Sequence, residues 1–190
     1  TAALNVLNNS FSADELIPFL QQKLADESYL VLGEALNGIY RLKPDLGVET
    51  ALKYEKESSA VMTLKVCEIY ANSGAENKTL FFKDNFEYFN GNNKSLVAKF
   101  WVEYLQKINY NTATLQALPV MEKATLLEKN WWIRFYLIDS LQQLQVFYQS
   151  QANEQPENLY LEVATEIEKA IDRILSEESN KKILHTYRQL

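Results

Sequence analysis

The chain has 190 residues, of which 47% are hydrophobic and 23% charged, a balance typical of a globular protein that buries one sizeable core. Its formal net charge is −6, and its 19 lysines and arginines form no basic stripe, so we expect no nucleic-acid partner. One histidine and one cysteine exclude an intrachain disulfide, a Cys-rich zinc site and an H-E-x-x-H zinc site within these residues.

The supply of turn residues favours helices over strands. Five glycines and four prolines are too few for an architecture that needs a positive φ at every corner. No apolar run approaches the roughly 18 to 20 residues of a membrane span, so we expect a soluble protein of the cytoplasm or the periplasm. Because the sequence begins TAALNVL without a methionine, we interpret residues 1–11 as a linker from an upstream domain and residues 12–190 as one helical domain.

Capping signals and apolar spacing predict the first helices. Ser12 and Glu15 form a capping box that starts a helix, whose apolar residues recur three and four positions apart. A second helix follows from about Tyr29 and is stopped by Pro44. A short helix over 48–54 and a longer one over 58–74 follow, the latter ending at Gly74 as a left-handed cap.

Aromatic stripes predict the central helices. Phe82, Phe86 and Phe89 of the segment 76–91 share one face, and the segment 93–108 offers an aromatic face to cover them. Helices over about 114–130 and 130–147 follow, then the polar and non-periodic stretch 148–158, then helices over 159–175 and 180–187. The sequence therefore predicts an all-α fold of about ten helices in five antiparallel pairs.

The second helices of successive pairs carry a repeating pattern. Triplets of mostly apolar residues at i, i+4 and i+8 start at Val31, Val61, Val97 and Ile133, and the second of them has Lys65 at its centre. Their intervals of about 30 to 36 residues lie in the range of helical-hairpin repeats. Pro18 and Pro119 lie inside first helices at matching distances before these triplets, and HEAT repeats commonly have such a bent first helix.

The segment IRFYLIDSL (133–141) resembles the V-R-x-x-A-x-x-A-L spine of a second HEAT helix, and VLGEALNGI (31–39) is a weaker copy. The resemblance implies a HEAT/armadillo-like right-handed superhelix. Leucine at position 137, in place of the spine's alanine, predicts irregular spacing between repeats.

Two longer segments, DESYLVLGEALNGIYRL (26–42) and ALKYEKESSAVMTLKVCEIYANSG (51–74), are similar to the C-terminal helical domain of M1-family zinc aminopeptidases. The resemblance covers about residues 12–176. It implies a non-catalytic scaffold and lid over an upstream catalytic domain, with that domain and peptide substrates as partners. The zinc would belong to the absent catalytic domain, and no cofactor or catalytic residue is expected in this chain.

Two other functions stay open. A free-standing HEAT-like adaptor would bind a protein partner, and an all-α bundle would hold an apolar ligand among its 11 Tyr, 9 Phe and 3 Trp side chains. His185 is expected at the surface or as a capping residue. The carboxylates Glu162, Glu166 and Glu168 are expected to form a solvated helix face with lysine partners.

The stretch NWWIRFYLIDSLQQLQVF (130–147) supplies the candidate contact residues, Trp131 and Arg134. Asn130 is expected to cap this helix. Because consecutive helical residues point about 100° apart, only one tryptophan can face a neighbouring repeat. We expect Trp132 to be buried there and Trp131 to lie at the rim. Arg134 takes the place of the arginine in the HEAT spine, and the resemblance implies that it pairs with an acidic group of an adjacent repeat.

Overall fold

The protein is described here by a computed structural model, which covers residues 12–155 and 159–187. Within these residues the chain forms ten α-helices and no strand, so the predicted all-α fold is confirmed. None of these helices is at once long enough and apolar enough to span a bilayer. The helices, numbered α1 to α10, are Ala13–Lys23, Tyr29–Leu42, Pro44–Leu52, Ala60–Ser73, Thr79–Tyr88, Gly91–Ile108, Asn111–Leu127, Trp131–Glu154, Tyr160–Glu177 and Lys181–Tyr187.

The capping signals of the sequence mark the helix ends correctly. The Glu15 N–H donates to Ser12 Oγ at 3.4 Å, and the Ser12 N–H donates to Glu15 Oε2 at 2.8 Å, which completes the predicted capping box of α1. Gly74 ends α4 with a φ of 68°, as expected of a left-handed cap. Pro18 and Pro119 lie inside α1 and α7, also as predicted.

The corner between α2 and α3 is very tight. Only Lys43 separates the two helices, because Pro44 ends the first and occupies the first position of the second. Proline is suited to that position, where the missing N–H would have no acceptor in the helix. At Gly47 an added Cβ would overlap the backbone of Tyr40, so α3 approaches α2 as closely as only glycine permits.

The described residues divide into two compact units between Ala75 and Glu76. In the first unit α2 packs against α1, α3 and α4. Its core includes Ile17, Leu20, Ala35 and Ile39, all at most 7% exposed. A single helical domain over 12–190 and a right-handed superhelix stay predictions.

The second unit has an aromatic interior. Phe82, Phe86 and Phe89 of the α5 segment are buried, as their predicted stripe requires. The rings of Phe82 and Tyr104 stack with centroids 4.9 Å apart, and those of Phe86 and Trp101 lie 5.6 Å apart. The α6 face therefore covers the phenylalanine stripe, as the sequence indicates. Helix α8 packs against α6, α7 and α9, which places it centrally in this unit.

Helix α8 extends beyond its predicted end near Phe147. The stretch 148–154, expected to be irregular because it is polar, continues the helix to Glu154. Tyr148 explains the difference, since it is fully buried and its hydroxyl lies 2.7 Å from that of Thr114 on α7. One buried, hydrogen-bonded tyrosine gives the polar turn a tertiary anchor.

The repeating triplets differ between the two units. Those of α6 and α8, beginning at Val97 and Ile133, are completely buried. In the first unit, by contrast, Val31 is 39% exposed, and Lys65 forms a 3.1 Å ion pair with Glu34 at the surface. The neighbouring positions Leu32, Leu36, Met62 and Val66 face the interior there. Ala35, Ile39 and Ile69 of the same triplets are nevertheless buried, so the predicted positions lie at the edge of the buried face of α2 and α4 rather than at its centre.

Candidate functional site: the aromatic surface of helix α8

The start of α8 is fixed by its cap. Asn130 Oδ1 accepts a 3.0 Å hydrogen bond from the Trp132 N–H, as the sequence predicts for an N-cap. The helix consequently begins at Trp131, and both tryptophans belong to its first turn. This turn carries the candidate contact residues Trp131 and Arg134.

The predicted burial of Trp132 is wrong. Its side chain is 45% exposed, while Trp131 is half-buried. The buried face of α8 is formed by Ile133, Leu137 and Leu141, each at most 1% exposed. Because Trp132 precedes Ile133 by one residue, it is rotated by about 100° from the core, toward solvent.

Four aromatic side chains cluster at this exposed edge, and we call them the α8 aromatic surface. Around Trp132 the ring centroids lie 5.1 to 5.9 Å away, with Phe135 stacked and the other two edge-on. Such offset-stacked and edge-to-face contacts between aromatic rings are favourable. The members of the surface are Trp131, Trp132, Phe135 and Tyr136.

Helix α10 supports this surface from one side. The rings of Phe135 and Tyr187 lie 5.5 Å apart, and the Tyr187 hydroxyl donates to the Phe135 carbonyl at 3.2 Å. Lys182 places its Nζ 5.0 Å from the Trp131 ring centroid, a cation–π distance. Trp131 is thus engaged within the chain, and its role in contacting a partner stays a prediction.

A groove of about 560 Å³ borders the aromatic surface between α6 and α8. Trp132 and Tyr136 line it from α8. Tyr136 is 40% exposed, and Leu96 of α6 is 41% exposed. Polar side chains complete the lining, including Lys99 and Asp139. The groove therefore combines exposed apolar area with hydrogen-bonding groups, the composition expected of a protein contact region.

A buried ion pair holds α8 beside this surface. Arg134 Nε and Nη2 donate to the two carboxylate oxygens of Glu178 at 2.8 and 2.9 Å. Its Nη1 also donates to the carbonyls of Glu128 and Lys129 at 2.8 and 3.1 Å. The expected pairing of Arg134 with an acid is confirmed. Since all three guanidinium nitrogens bind protein acceptors, this geometry favours a structural role.

Glu178 is well stabilised as an anion. Its side chain is only 2% exposed, and such burial by itself raises a carboxyl pKa. The bidentate Arg134 and the Asn180 N–H, which donates at 2.7 Å, outweigh that effect and hold the pKa of Glu178 below its ordinary range. The pair links the α7–α8 connection to the end of α9.

The groups that could carry chemistry are dispersed. Within residues 12–155 and 159–187 no three His, Cys, Asp or Glu side chains are placed to hold a metal ion. Burial raises the pKa of the Cys67 thiol. Glu166 pairs with Lys169 at 2.8 Å on an exposed helix face, as expected for that carboxylate. His185 lies on α10.

The chain matches no protein-family model, no curated protein and no solved structure. Its similarity to M1 helical domains accordingly remains a proposal from sequence. Phe135 and Tyr136 of the aromatic surface were not among the candidate contact residues predicted from the sequence, although their i+3 and i+4 spacing from Trp132 is a usable signal. Tyr187 is 52 residues from its partner Phe135, and no local pattern could have found it.

Replacement of two tryptophans should separate core from surface. Trp101 is 1% exposed, so we expect Trp101→Ala to lower the free energy of unfolding by about 3 to 5 kcal/mol. Trp132→Ala should lower it by about half as much or less, because nearly half of that side chain already contacts water. Urea unfolding of both variants measures the difference. Equal losses would mean that Trp132 is part of the core.

Removal of the Arg134 side chain should strongly destabilise the folded protein near neutral pH. Arg134→Ala leaves Glu178 buried without its cation, which we expect to lower the free energy of unfolding by about 3 to 5 kcal/mol. The folded pKa of Glu178 is depressed. The pair's contribution is therefore present above the ordinary carboxyl pKa of about 4.3 and is lost as the pH falls through the lower folded value.

Urea titrations of wild type and variant between neutral and strongly acidic pH test this dependence. Arg173→Ala is the matched control, since Arg173 binds Glu122 with the same bidentate geometry, at 2.6 and 2.8 Å, but is exposed. Arg173→Ala should lower the free energy of unfolding much less than Arg134→Ala does. A variant of Arg134 that unfolds like the control at every pH would contradict the structural role of the buried pair.

Proposed function

We propose that this chain is the non-catalytic C-terminal helical domain of an M1-type zinc aminopeptidase, serving as a scaffold and lid that restricts peptide access to an upstream catalytic domain. The similarity of segments 26–42 and 51–74 to that family supports the assignment. The all-α fold and the prolines inside α1 and α7 agree with a HEAT-like helical domain.

The observation that carries the contact role is the α8 aromatic surface. Tryptophan and tyrosine are enriched among residues that dominate protein–protein binding. Here Trp132 and Tyr136 are exposed yet held by ring contacts, and the ion pair of Arg134 fixes the turn that presents them. A surface ordered before binding loses little conformational entropy on contact. We propose that the upstream catalytic domain packs against it.

A free-standing adaptor would use the same surface for a separate protein, so this alternative differs in its partner rather than in its site. The apolar-ligand alternative draws less support. The buried rings of Phe82, Phe86, Trp101 and Tyr104 pack on one another, which is ordinary core packing.

The flanking gene sequence provides the most direct test. If the proposal is correct, the coding region upstream of Thr1 contains an H-E-x-x-H motif, with a third zinc ligand, a glutamate, roughly 18 residues further on. An open reading frame that starts close to Thr1 would refute the peptidase assignment and favour the adaptor.

A pair of tyrosine variants tests the contact surface in the full-length parent protein. Tyr136→Ala removes an exposed member of the aromatic surface, and Tyr110→Ala removes a tyrosine that is 59% exposed at the start of α7. We expect Tyr136→Ala to change the ratio of kcat/KM for long peptides to that for aminoacyl anilides by about tenfold, the effect of losing roughly 1.4 kcal/mol of contact energy.

Tyr110→Ala should leave that ratio unchanged. Circular dichroism and urea unfolding of both variants establish that each remains folded. If both folded variants retain the wild-type ratio, the α8 aromatic surface does not contact the catalytic domain, and this part of the proposal is wrong.

A further inference from the structure

The sequence contains the dipeptide Asn-Gly twice, at Asn37–Gly38 and at Asn90–Gly91. In this dipeptide the backbone nitrogen that follows the asparagine is not shielded by a β-carbon. It can therefore approach the side-chain carboxamide and close a five-membered ring. Whether it does so depends on the freedom of the local backbone, and the structure places the two copies in very different surroundings.

Asn90–Gly91 lies at the exposed start of a helix. Asn90 is exposed and precedes α6 with extended backbone angles, φ −127° and ψ 166°, and its side chain makes no capping hydrogen bond. Gly91 has a φ of +57°, and a Cβ added to it would meet nothing within 4 Å. At the first position of the helix, the Gly91 N–H has no acceptor within α6.

Asn37–Gly38 lies where the same reaction is blocked. Both residues are buried in the interior of α2, and Asn37 is only 6% exposed. The Gly38 N–H is positioned to donate along the helix, and the carboxamide cannot rotate toward it without opening the turn. The chain thus contains its own control, with the same two residues held in a helix.

We propose that Asn90 is a site of spontaneous deamidation. The Gly91 backbone nitrogen, after losing its proton, attacks Cγ of Asn90; the new N–Cγ bond forms as the Cγ–Nδ2 bond breaks, and Nδ2 leaves as ammonia after taking up a proton. Water then adds to one of the two carbonyl carbons of the resulting succinimide and breaks that C–N bond. The products are aspartate and isoaspartate, and no oxidant or reductant is needed.

The modification changes the charge of a groove. Asn90 lines a groove of about 740 Å³ whose charged side chains are three lysines and two glutamates, namely Lys94, Lys123, Lys129, Glu87 and Glu128. A carboxylate at position 90 balances these charges. Aspartate there can also cap α6 and interacts favourably with its N-terminal dipole, whereas isoaspartate adds a methylene to the main chain at the start of the helix.

Peptide mapping of the purified chain tests this proposal. Samples incubated at mildly alkaline and at mildly acidic pH are digested with trypsin, and fragmentation spectra locate each deamidated residue. We expect position 90 to convert faster at alkaline pH, because the attacking nitrogen must be deprotonated. Position 37 should convert at most about one tenth as fast as position 90, since its reaction requires local opening of α2.

Two further measurements make the outcome decisive. In urea both dipeptides should convert at similar rates, because the protection of Asn37 comes from the fold. Asn90→Gln should abolish the alkaline conversion at this position while Asn92 and Asn93, in the same tryptic peptide, report the background rate. If folded Asn90 stays intact while urea-unfolded Asn37 converts, or if Asn92 converts faster than Asn90, the proposal is wrong.

Discussion

The buried pair of Arg134 and Glu178 is the interaction on which the geometry of the second unit most depends. Two charges removed from water carry a large desolvation penalty, which is offset only when the partners meet with good geometry and their remaining hydrogen-bonding groups are satisfied. Here the guanidinium has carboxylate and carbonyl acceptors, and the carboxylate also accepts from Asn180. A shift of α8 along α9 would leave the buried Glu178 carboxylate without its cation. The pair therefore specifies one register, and with it the position of the aromatic side chains on the adjacent turn.

Helix ends that carry a local capping signal could be predicted from sequence, because such a signal acts through residues close in the chain. The capping box at Ser12, the left-handed Gly74 and the cap at Asn130 each act within a few residues. The side of a helix that is buried depends instead on its neighbours. Apolar residues occupy adjacent positions in α2 and α4, so spacing alone could not decide between Val31 and Leu32. Trp132 was misplaced for the same reason, since a large apolar side chain satisfies the pattern equally well at the edge of a core.

The candidate site could be predicted only in part. The acidic partner of Arg134 was expected from the resemblance to a HEAT helix, but Glu178 lies 44 residues away and was not identifiable. What distinguishes the site physically is that its exposed aromatic side chains are ordered by contacts with one another. Such a surface is suited to binding a protein, and both a lid domain and a free-standing adaptor need a surface of this kind. The two functions therefore differ in the protein that binds this surface, and not in the chemistry of the surface itself.

The corner at Lys43 has a mechanical consequence for the first unit. A linker of one residue allows little change in the angle between α2 and α3. The close approach of Gly47 to Tyr40 also leaves no space for the two helices to move closer together. Bending at this point would force backbone atoms into one another, while opening would expose the core residues that α2 contributes. Helices α2 and α3 therefore move together, and a displacement of α3 also displaces α2, which packs against α1 and α4.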